Sequence, residues 1–455
     1  MTLKISISGV RGHVPESLTP ELCLNFAKAF GSYLAKQTTE PRTVVVGTDP
    51  RASSEFIKGI VFQGLLSTGC KVVDLGICPT PTVGIMVRQL KATGGIIITA
   101  SHNPLPWNGL KFVRSDGIFL NENQAEEFLT IYRQNEFITR ETGQVVINSR
   151  ALDIHLAKVL KLVKTRLIKR KRLKVALDCC NGAGSEICPM LLKMLGCQVI
   201  AINCDITKPF PHNPEPIAEN LGELIELIKN KKADIGFALD SDADRLAIVA
   251  ETGQPIGEEL TLALATKFIL QQNHIKNPGK KIVITNLSTT QALDDIVNSF
   301  QGTIIRTKIG EVHVAEELKK LDGLIGGEGN GGVIYPKIGF NRDAMVGMAL
   351  ILNFLAVSKK KTSELAGEIP AYFVVKKKID CDNRDQLDDF IESVKTQFKG
   401  HDFITTDGLK VMLPDGWLHV RASNTEPIIR IIAEGKDRLQ IEKLVEQVLT
   451  HPRLS

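Results

Sequence analysis

Gly94-Gly95-Ile96-Ile97-Ile98-Thr99-Ala100-Ser101-His102-Asn103-Pro104 is the stretch on which the reading of this chain turns. Its apolar, β-branched first half predicts a short buried strand. Pro104 disfavours helix at Asn103, which predicts an extended turn around Ser101 at the strand's carboxyl end. In open α/β sheets ligands bind at that edge. A hydroxyl there is placed to act as a nucleophile or a phosphate carrier. Taken alone, Ser101 is as well explained by a turn serine bonding its own backbone. Three other stretches tip the balance.

Working outward, the 455 residues exceed what one core can organise and predict three or four domains. A formal net charge of +5 is small for this length, which argues against general nucleic-acid binding and suits an anionic small substrate. The nine cysteines are odd in number and form no C-x-x-C pair, as expected of reduced thiols in a cytosolic protein. The amino terminus shows no apolar signal segment. The longest apolar run, Ala344 to Val357, contains Asn353 and is too short to span a bilayer, so a core helix is expected. A cytoplasmic protein with no membrane partner is the resulting expectation. The basic run Lys164 to Lys174 lacks interleaved aromatics and reads as a solvated helix end rather than a nucleic-acid patch.

Before Ser101, Ile5 to Ser8 predicts a strand and Gly9-Val10-Arg11-Gly12 a glycine turn. Thr19-Pro20 opens a helix as N-cap and first helical residue. Strands at Thr43 to Val46 and Lys71 to Leu75 alternate with helices from Ser54 to Leu66 and beyond Pro79-Thr80-Pro81-Thr82, the grammar of parallel βαβ units. The same order of apolar strand, polar turn and helix recurs at Leu173 to Gly184 and at Lys281 to Gln291, a weak internal repetition of one α/β unit. From about residue 370 the pattern becomes short strands and two helices, as in an antiparallel α+β domain.

The second chemical stretch is Asp240-Ser241-Asp242-Ala243-Asp244-Arg245, between the apolar runs Ile235 to Leu239 and Leu246 to Ala250. Three carboxylates at alternate positions repel one another unless a cation lies among them, and hard oxygen donors favour Mg²⁺. An EF-hand would need glycine where Arg245 stands, and helices where strands are predicted. The third stretch, Gly326-Gly327-Glu328-Gly329-Asn330-Gly331-Gly332, is a loop in which backbone approaches something closely. Glu328 and Asn330 there suit vicinal hydroxyls, and the loop has neither P-loop nor dinucleotide spacing. The fourth is Arg421-Ala422-Ser423-Asn424-Thr425-Glu426-Pro427 with Arg430 beyond it, a receptor for a dianion.

In this order the four stretches resemble the α-D-phosphohexomutase family over nearly the whole chain. Thr-Ala-Ser-His-Asn-Pro and Arg-Ala-Ser-Asn-Thr-Glu-Pro are the most specific motifs. The resemblance implies three α/β/α domains with mixed, largely parallel sheets and a smaller C-terminal α+β domain around a central cleft. The expected spans are 1–148, 149–253, 254–368 and 369–455. It further implies that Ser101 is a phosphoserine, that Asp240, Asp242 and Asp244 hold one Mg²⁺ together with that phosphate, and that Arg245 lies beside it. Lys111 matches the proposed general acid/base, and Arg11 an N-terminal arginine turn. Glu328 and Asn330 would bind sugar hydroxyls. Arg421, Ser423, Asn424, Thr425 and Arg430 would hold the phosphate that is not reacting. His102 is taken as a further cleft residue without an assigned role.

The implied activity moves a phosphoryl group between C6 and C1 of a hexose phosphate through a sugar 1,6-bisphosphate, which also serves as activator, in a monomer or homodimer. Asn330 and Gly332 depart from the Gly-Glu-x-Ser-Gly-His pattern of many relatives. That loop and Gly416-Trp417-Leu418-His419-Val420-Arg421 are more similar to the archaeal-type phosphoglucosamine mutases, which makes glucosamine phosphate the expected substrate. The alternatives are a phosphomannomutase/phosphoglucomutase of the same family, a Mg²⁺-dependent sugar phosphatase, and a non-catalytic sugar-phosphate-binding protein.

Overall fold

The computed structural model of the chain describes residues 3–7, 9–38, 41–140, 143–276, 281–380, 384–422 and 428–450, without the side chains of 274–276 and 384–386. The strand Gly94–Ile98 is wholly buried, as its isoleucine run requires. It pairs in parallel with Thr43–Thr48 and antiparallel with Trp107–Arg114, in a seven-stranded mixed sheet. Helix Pro20–Gln37 opens with the Thr19 hydroxyl accepting the Leu22 N–H and with proline at its first position. Gly9-Val10-Arg11-Gly12 is not a turn. Gly9–His13 is a strand between Lys4–Ser6 and Trp107–Arg114. Gly9 serves close backbone approach there, since a Cβ would stand 2.0 Å from the Leu110 carbonyl oxygen.

A second unit carries a four-stranded sheet in the order 246–250, 235–239, 174–178, 198–202, and a third the order 303–307, 282–286, 325–328, 332–334. In each, two pairings are parallel and one antiparallel. The last unit is a five-stranded antiparallel sheet covered by helices Arg384–Gln397 and Arg438–Leu449. Helix Ala344–Ser358 is buried on all faces from Ala344 to Ala356, which explains its uniform apolarity. It lies in one continuous core that joins the second and third units. Among the described residues no helix is long and apolar enough to cross a membrane.

The units also meet through polar contacts. Thr80 of the first unit reaches Asp242 of the second, and helix Thr80–Gln89 lies so close to the third that a Cβ on Gly84 would stand 2.0 Å from Asn341 Oδ1. Ser288 pairs with His419, and Lys410 donates to the Leu287 carbonyl, across the third and fourth.

Candidate active site

Ser101 is fixed by its backbone before its hydroxyl is considered. Its φ of +51° lies in the left-handed region, not the extended one expected from Pro104. The Ser101 N–H donates to Thr99 Oγ1 at 2.8 Å, while its carbonyl accepts from Arg51 Nη2 at 2.6 Å and Ser241 Oγ at 2.7 Å. The buried hydroxyl thereby aims at the second unit and donates to Asp240 Oδ2 at 3.1 Å.

Asp240, Asp242 and Asp244 stand in the turn between two buried strands, with Ala243 at φ +53° to close it. One oxygen from each lies within 4.8 Å of the others. Asp240 Oδ1 accepts the N–H groups of Asp244 and Arg245, both at 3.0 Å. Asp242 Oδ2 accepts from Thr80 at 2.6 Å and from Lys111 Nζ at 2.7 Å. Asp244 Oδ2 accepts from Arg342 Nη2 at 2.6 Å. Burial, then the charges of Asp244 and Asp242, push Asp240 well above the usual carboxylate range. Burial opposes the charge on Asp242 as well, but the ion pair with Lys111 and the hydrogen bonds from Lys111 and Thr80 hold it below that range. Asp242 Oδ1 and Asp244 Oδ1 are buried without a hydrogen-bond partner. Two orphaned oxygens in an all-oxygen donor set fit a hard divalent cation.

Arg245 brings His102 into the site. Its Nη2 donates to His102 Nδ1 at 3.0 Å and its Nη1 to Glu215 Oε1 at 3.1 Å. Burial, then the cations Arg245, Arg11 and Arg342, hold the imidazole well below its ordinary pKa. His102 is therefore neutral, with Nδ1 accepting and the proton on Nε2. Arg11 donates to Asn103 Oδ1 at 3.1 Å, and burial lowers its guanidinium.

The Glu328 carboxylate faces the same cluster. Glu328 Oε1 accepts from Asn286 Nδ2 at 2.9 Å and the Gly310 N–H at 3.2 Å, and Oε2 from Arg342 Nη1 at 2.8 Å. Asn330 Oδ1 is buried with no partner. Gly327 and Gly331 take φ values of +151° and +87° to fold the loop back, conformations open to glycine. Arg421 is buried and directly opposite Arg430 in the antiparallel pair of strands Gly416–Ala422 and Ile428–Gly435. Two cations side by side on one face repel unless an anion sits between them. Arg421 Nη2 is buried without a partner, while Nε donates to Asp407 Oδ1 at 3.3 Å. Asp407 Oδ2 accepts the N–H of Ile309, next to the Gly310 that serves Glu328. Ser423, Asn424 and Thr425 lie outside the described residues.

Sequence reasoning passed over four contributors. Arg51, between the strand Thr43–Thr48 and the helix Ser54–Ser67, donates to Asp49 Oδ2 and to the carbonyls of Ser101, Asn103 and Trp107. Its position just past a parallel strand was the available signal. Thr80 opens the helix Thr80–Gln89, and Glu215 and Arg342 stand in loops; the sequence around each says nothing of the partners they reach.

Known proteins resemble this chain over nearly its whole length. Models described as phosphoglucomutase/phosphomannomutase α/β/α domains I, II and III match residues 3–139, 153–253 and 257–373, and the corresponding C-terminal domain matches 357–451. A protein of Thermococcus kodakarensis named phosphoglucomutase/phosphomannomutase is 38% identical over 96% of this chain and 96% of its own length. A probable phosphoglucosamine mutase of Methanopyrus kandleri is 36% identical over 97% and 95%. The crystal structure of a phosphoglucomutase/phosphomannomutase family protein from Burkholderia thailandensis superposes with a TM-score of 0.85 at 26% identity, covering 98% of this chain and 96% of that one.

Proposed function

The chain belongs to the phosphoglucomutase/phosphomannomutase family, the α-D-phosphohexomutases, which are isomerases, and from that premise we propose that it interconverts glucosamine 6-phosphate and glucosamine 1-phosphate. The observation that carries the reading is the Ser101 hydroxyl, donating to Asp240 inside a buried carboxylate triad whose other members hold Lys111 and Arg342.

Phosphoryl transfer is mainly a matter of positioning and charge neutralisation. In its working form Ser101 carries a phosphoryl group on Oγ. Its backbone bonds fix the direction of that group, and Arg245, steadied by His102 and Glu215, stands ready to neutralise its charge. Transfer to the free sugar hydroxyl breaks the P–Oγ bond and forms a P–O bond to the sugar. The hydroxyl proton leaves with the help of Lys111 and Ser101 Oγ regains one, so charge and protons balance. The resulting sugar 1,6-bisphosphate turns end for end and returns its other phosphoryl group to Ser101. Asp240, Asp242 and Asp244 would hold Mg²⁺, which when bound supplies Lewis-acid neutralisation of the phosphoryl oxygens. Glu328 and Asn330 bind sugar hydroxyls; the unpartnered Asn330 Oδ1 supports this. Arg421, Arg430, Ser423, Asn424 and Thr425 grip the resting phosphate, and Arg11 steadies the phosphoserine turn through Asn103.

The name of the Methanopyrus relative favours an amino sugar; that of the Thermococcus relative favours mannose and glucose phosphates as a second reading. The test is side-by-side turnover of glucosamine, mannose and glucose 6-phosphates, primed with a sugar 1,6-bisphosphate, with and without Mg²⁺. Preference for mannose phosphate refutes the substrate assignment. Steady release of free phosphate identifies a phosphatase instead. Intact-mass measurement should show one added phosphate that vanishes in Ser101→Ala; no adduct and no turnover in the unmodified chain removes the mutase mechanism.

A further inference from the structure

Arg342 lies between the carboxylate triad and the sugar loop, just ahead of the apolar helix Ala344–Ser358. Its guanidinium divides itself. Nη2 donates to Asp244 Oδ2 at 2.6 Å and Nη1 to Glu328 Oε2 at 2.8 Å. Nε lies 3.1 Å from Glu311 Oε2, an ion pair without hydrogen-bond alignment, while the Arg342 backbone N–H donates to Glu311 Oε1 at 2.8 Å. Burial opposes the charge, but Asp244, Glu311, Glu328 and Asp240 outweigh it. The next residue, Asp343, caps the helix by accepting the N–H groups of Met345 and Val346, so Arg342 springs from a rigid point.

The sugar loop is shaped around this side chain. A Cβ on Gly332 would stand 2.2 Å from Arg342 Cδ, so the arginine stem fills the space that a side chain at 332 would need. Position 332 is one of the two at which the loop departs from the Gly-Glu-x-Ser-Gly-His pattern, and glycine there leaves room for the Arg342 stem. A planar fork sets separate nitrogens on two carboxylates of different loops, whereas an ammonium must draw both towards one point.

We propose that Arg342 is a positioning residue that presents Glu328 to the sugar and, through Asp244, competes with the divalent cation. The proposal rests on the reading of Glu328 as a sugar-binding carboxylate. Its signature is a pair of opposite effects. Removing the guanidinium leaves Glu328 held through Oε1 alone, so Oε2 loses its fixed direction and sugar binding weakens. It also leaves the triad more negative and tightens cation binding. A merely structural role weakens both.

The test uses the full chain with Arg342→Gln, Arg342→Lys and Glu328→Gln, each checked for cooperative melting. Mg²⁺ affinity is measured by calorimetry without sugar, and kcat and KM for glucosamine 6-phosphate at saturating Mg²⁺. Arg342→Gln should raise KM about tenfold and tighten Mg²⁺ binding severalfold, with the smaller change in kcat. Arg342→Lys keeps the charge and loses the fork, so KM rises while Mg²⁺ affinity stays within about twofold. Should the glutamine variant not fold, the lysine variant carries the test. Weaker Mg²⁺ binding in Arg342→Gln, or an unchanged KM in both arginine variants while Glu328→Gln raises it, overturns the proposal alone. An unchanged KM in Glu328→Gln overturns the placement of Glu328 at the sugar, and the proposal with it.

Discussion

Replacing Arg51 with methionine tests whether the Ser101 turn is held from behind by one buried guanidinium. Arg51 and Asp49 have fully buried side chains, with Nε 2.9 Å from Oδ2. Nη2 also donates to the Ser101 carbonyl at 2.6 Å and the Asn103 carbonyl at 2.7 Å, and Nη1 to the Trp107 carbonyl at 2.8 Å. Methionine fills much of the volume and serves none of these acceptors. Breaking a buried ion pair by removing one partner costs about 3–5 kcal/mol. Asp49 keeps hydroxyl donors from Thr99 at 2.7 Å and from Ser54 at 3.1 Å, which favours the lower end. Of the three carbonyls, that of Ser101 retains Ser241 Oγ at 2.7 Å. The others add a further cost of about 1–3 kcal/mol for weakened satisfaction.

A total near 4 kcal/mol corresponds to a fall in the melting temperature of roughly 8–16 °C for a unit of this size. The assay is thermal and urea denaturation of the single variant and of Asp49→Asn with Arg51→Met. In the double variant no lone charge remains buried, so about 2 kcal/mol should return. A fall of less than about 3 °C in the single variant, or no recovery in the double, would show that Arg51 does not carry the turn.

Lys410 has its Nζ 4.1 Å from the centre of the Trp417 ring and donates to the Leu287 carbonyl, and burial lowers its pKa to about 6. The unfolded chain, at the ordinary 10.5, binds the extra proton between these values, so stability rises with pH across that window and Lys410→Met should flatten the dependence; melts at pH 6, 7.5 and 9 that stay parallel to the parent refute this. His155 is buried between Thr82 Oγ1 at 2.9 Å and Asp343 Oδ2 at 2.7 Å, joining three units, so His155→Ala should cost about 3 kcal/mol by urea titration. Ser101→Gly and Ser101→Ala should both abolish the phosphate adduct, and the glycine variant should be the more stable by about 1 kcal/mol because Ser101 sits at φ +51°; equal melting temperatures would argue against backbone strain there.

What the sequence made legible was local. The runs Ile235–Leu239 and Leu246–Ala250 are strands over those same residues, because apolar β-branched segments bounded by a polar turn admit few other solutions. Ser101, Asp240 and Glu328 could be found because each stands in such a turn or at a strand end. Gly9 to Gly12 misled because glycine signals both a turn and close approach, and only the neighbouring Leu110 carbonyl decides which. Arg51 and Arg342 stayed hidden for another reason. The first meets Ser101 across 50 residues of chain and the second Asp244 across 98, distances at which no spacing rule operates.

The hidden residues are the ones that make the legible ones usable. A serine at a strand end is a flexible hydroxyl; held at φ +51° by Arg51, Ser241 and Thr99, it has one direction. Three aspartates in a turn repel one another, and here their charges are divided. Lys111 lies on Asp242, Arg342 on Asp244, and the Ser101 hydroxyl on Asp240, the carboxyl that burial pushes towards neutrality. Each of these partners comes from a unit other than the one carrying the triad. The carboxylates therefore hold a defined arrangement only when all three α/β units are assembled, and two of their oxygens, Asp242 Oδ1 and Asp244 Oδ1, stay buried in that junction without a hydrogen-bond partner. A fragment lacking the third unit would keep the aspartates and lose Arg342, so the triad belongs to the junction and not to its own loop.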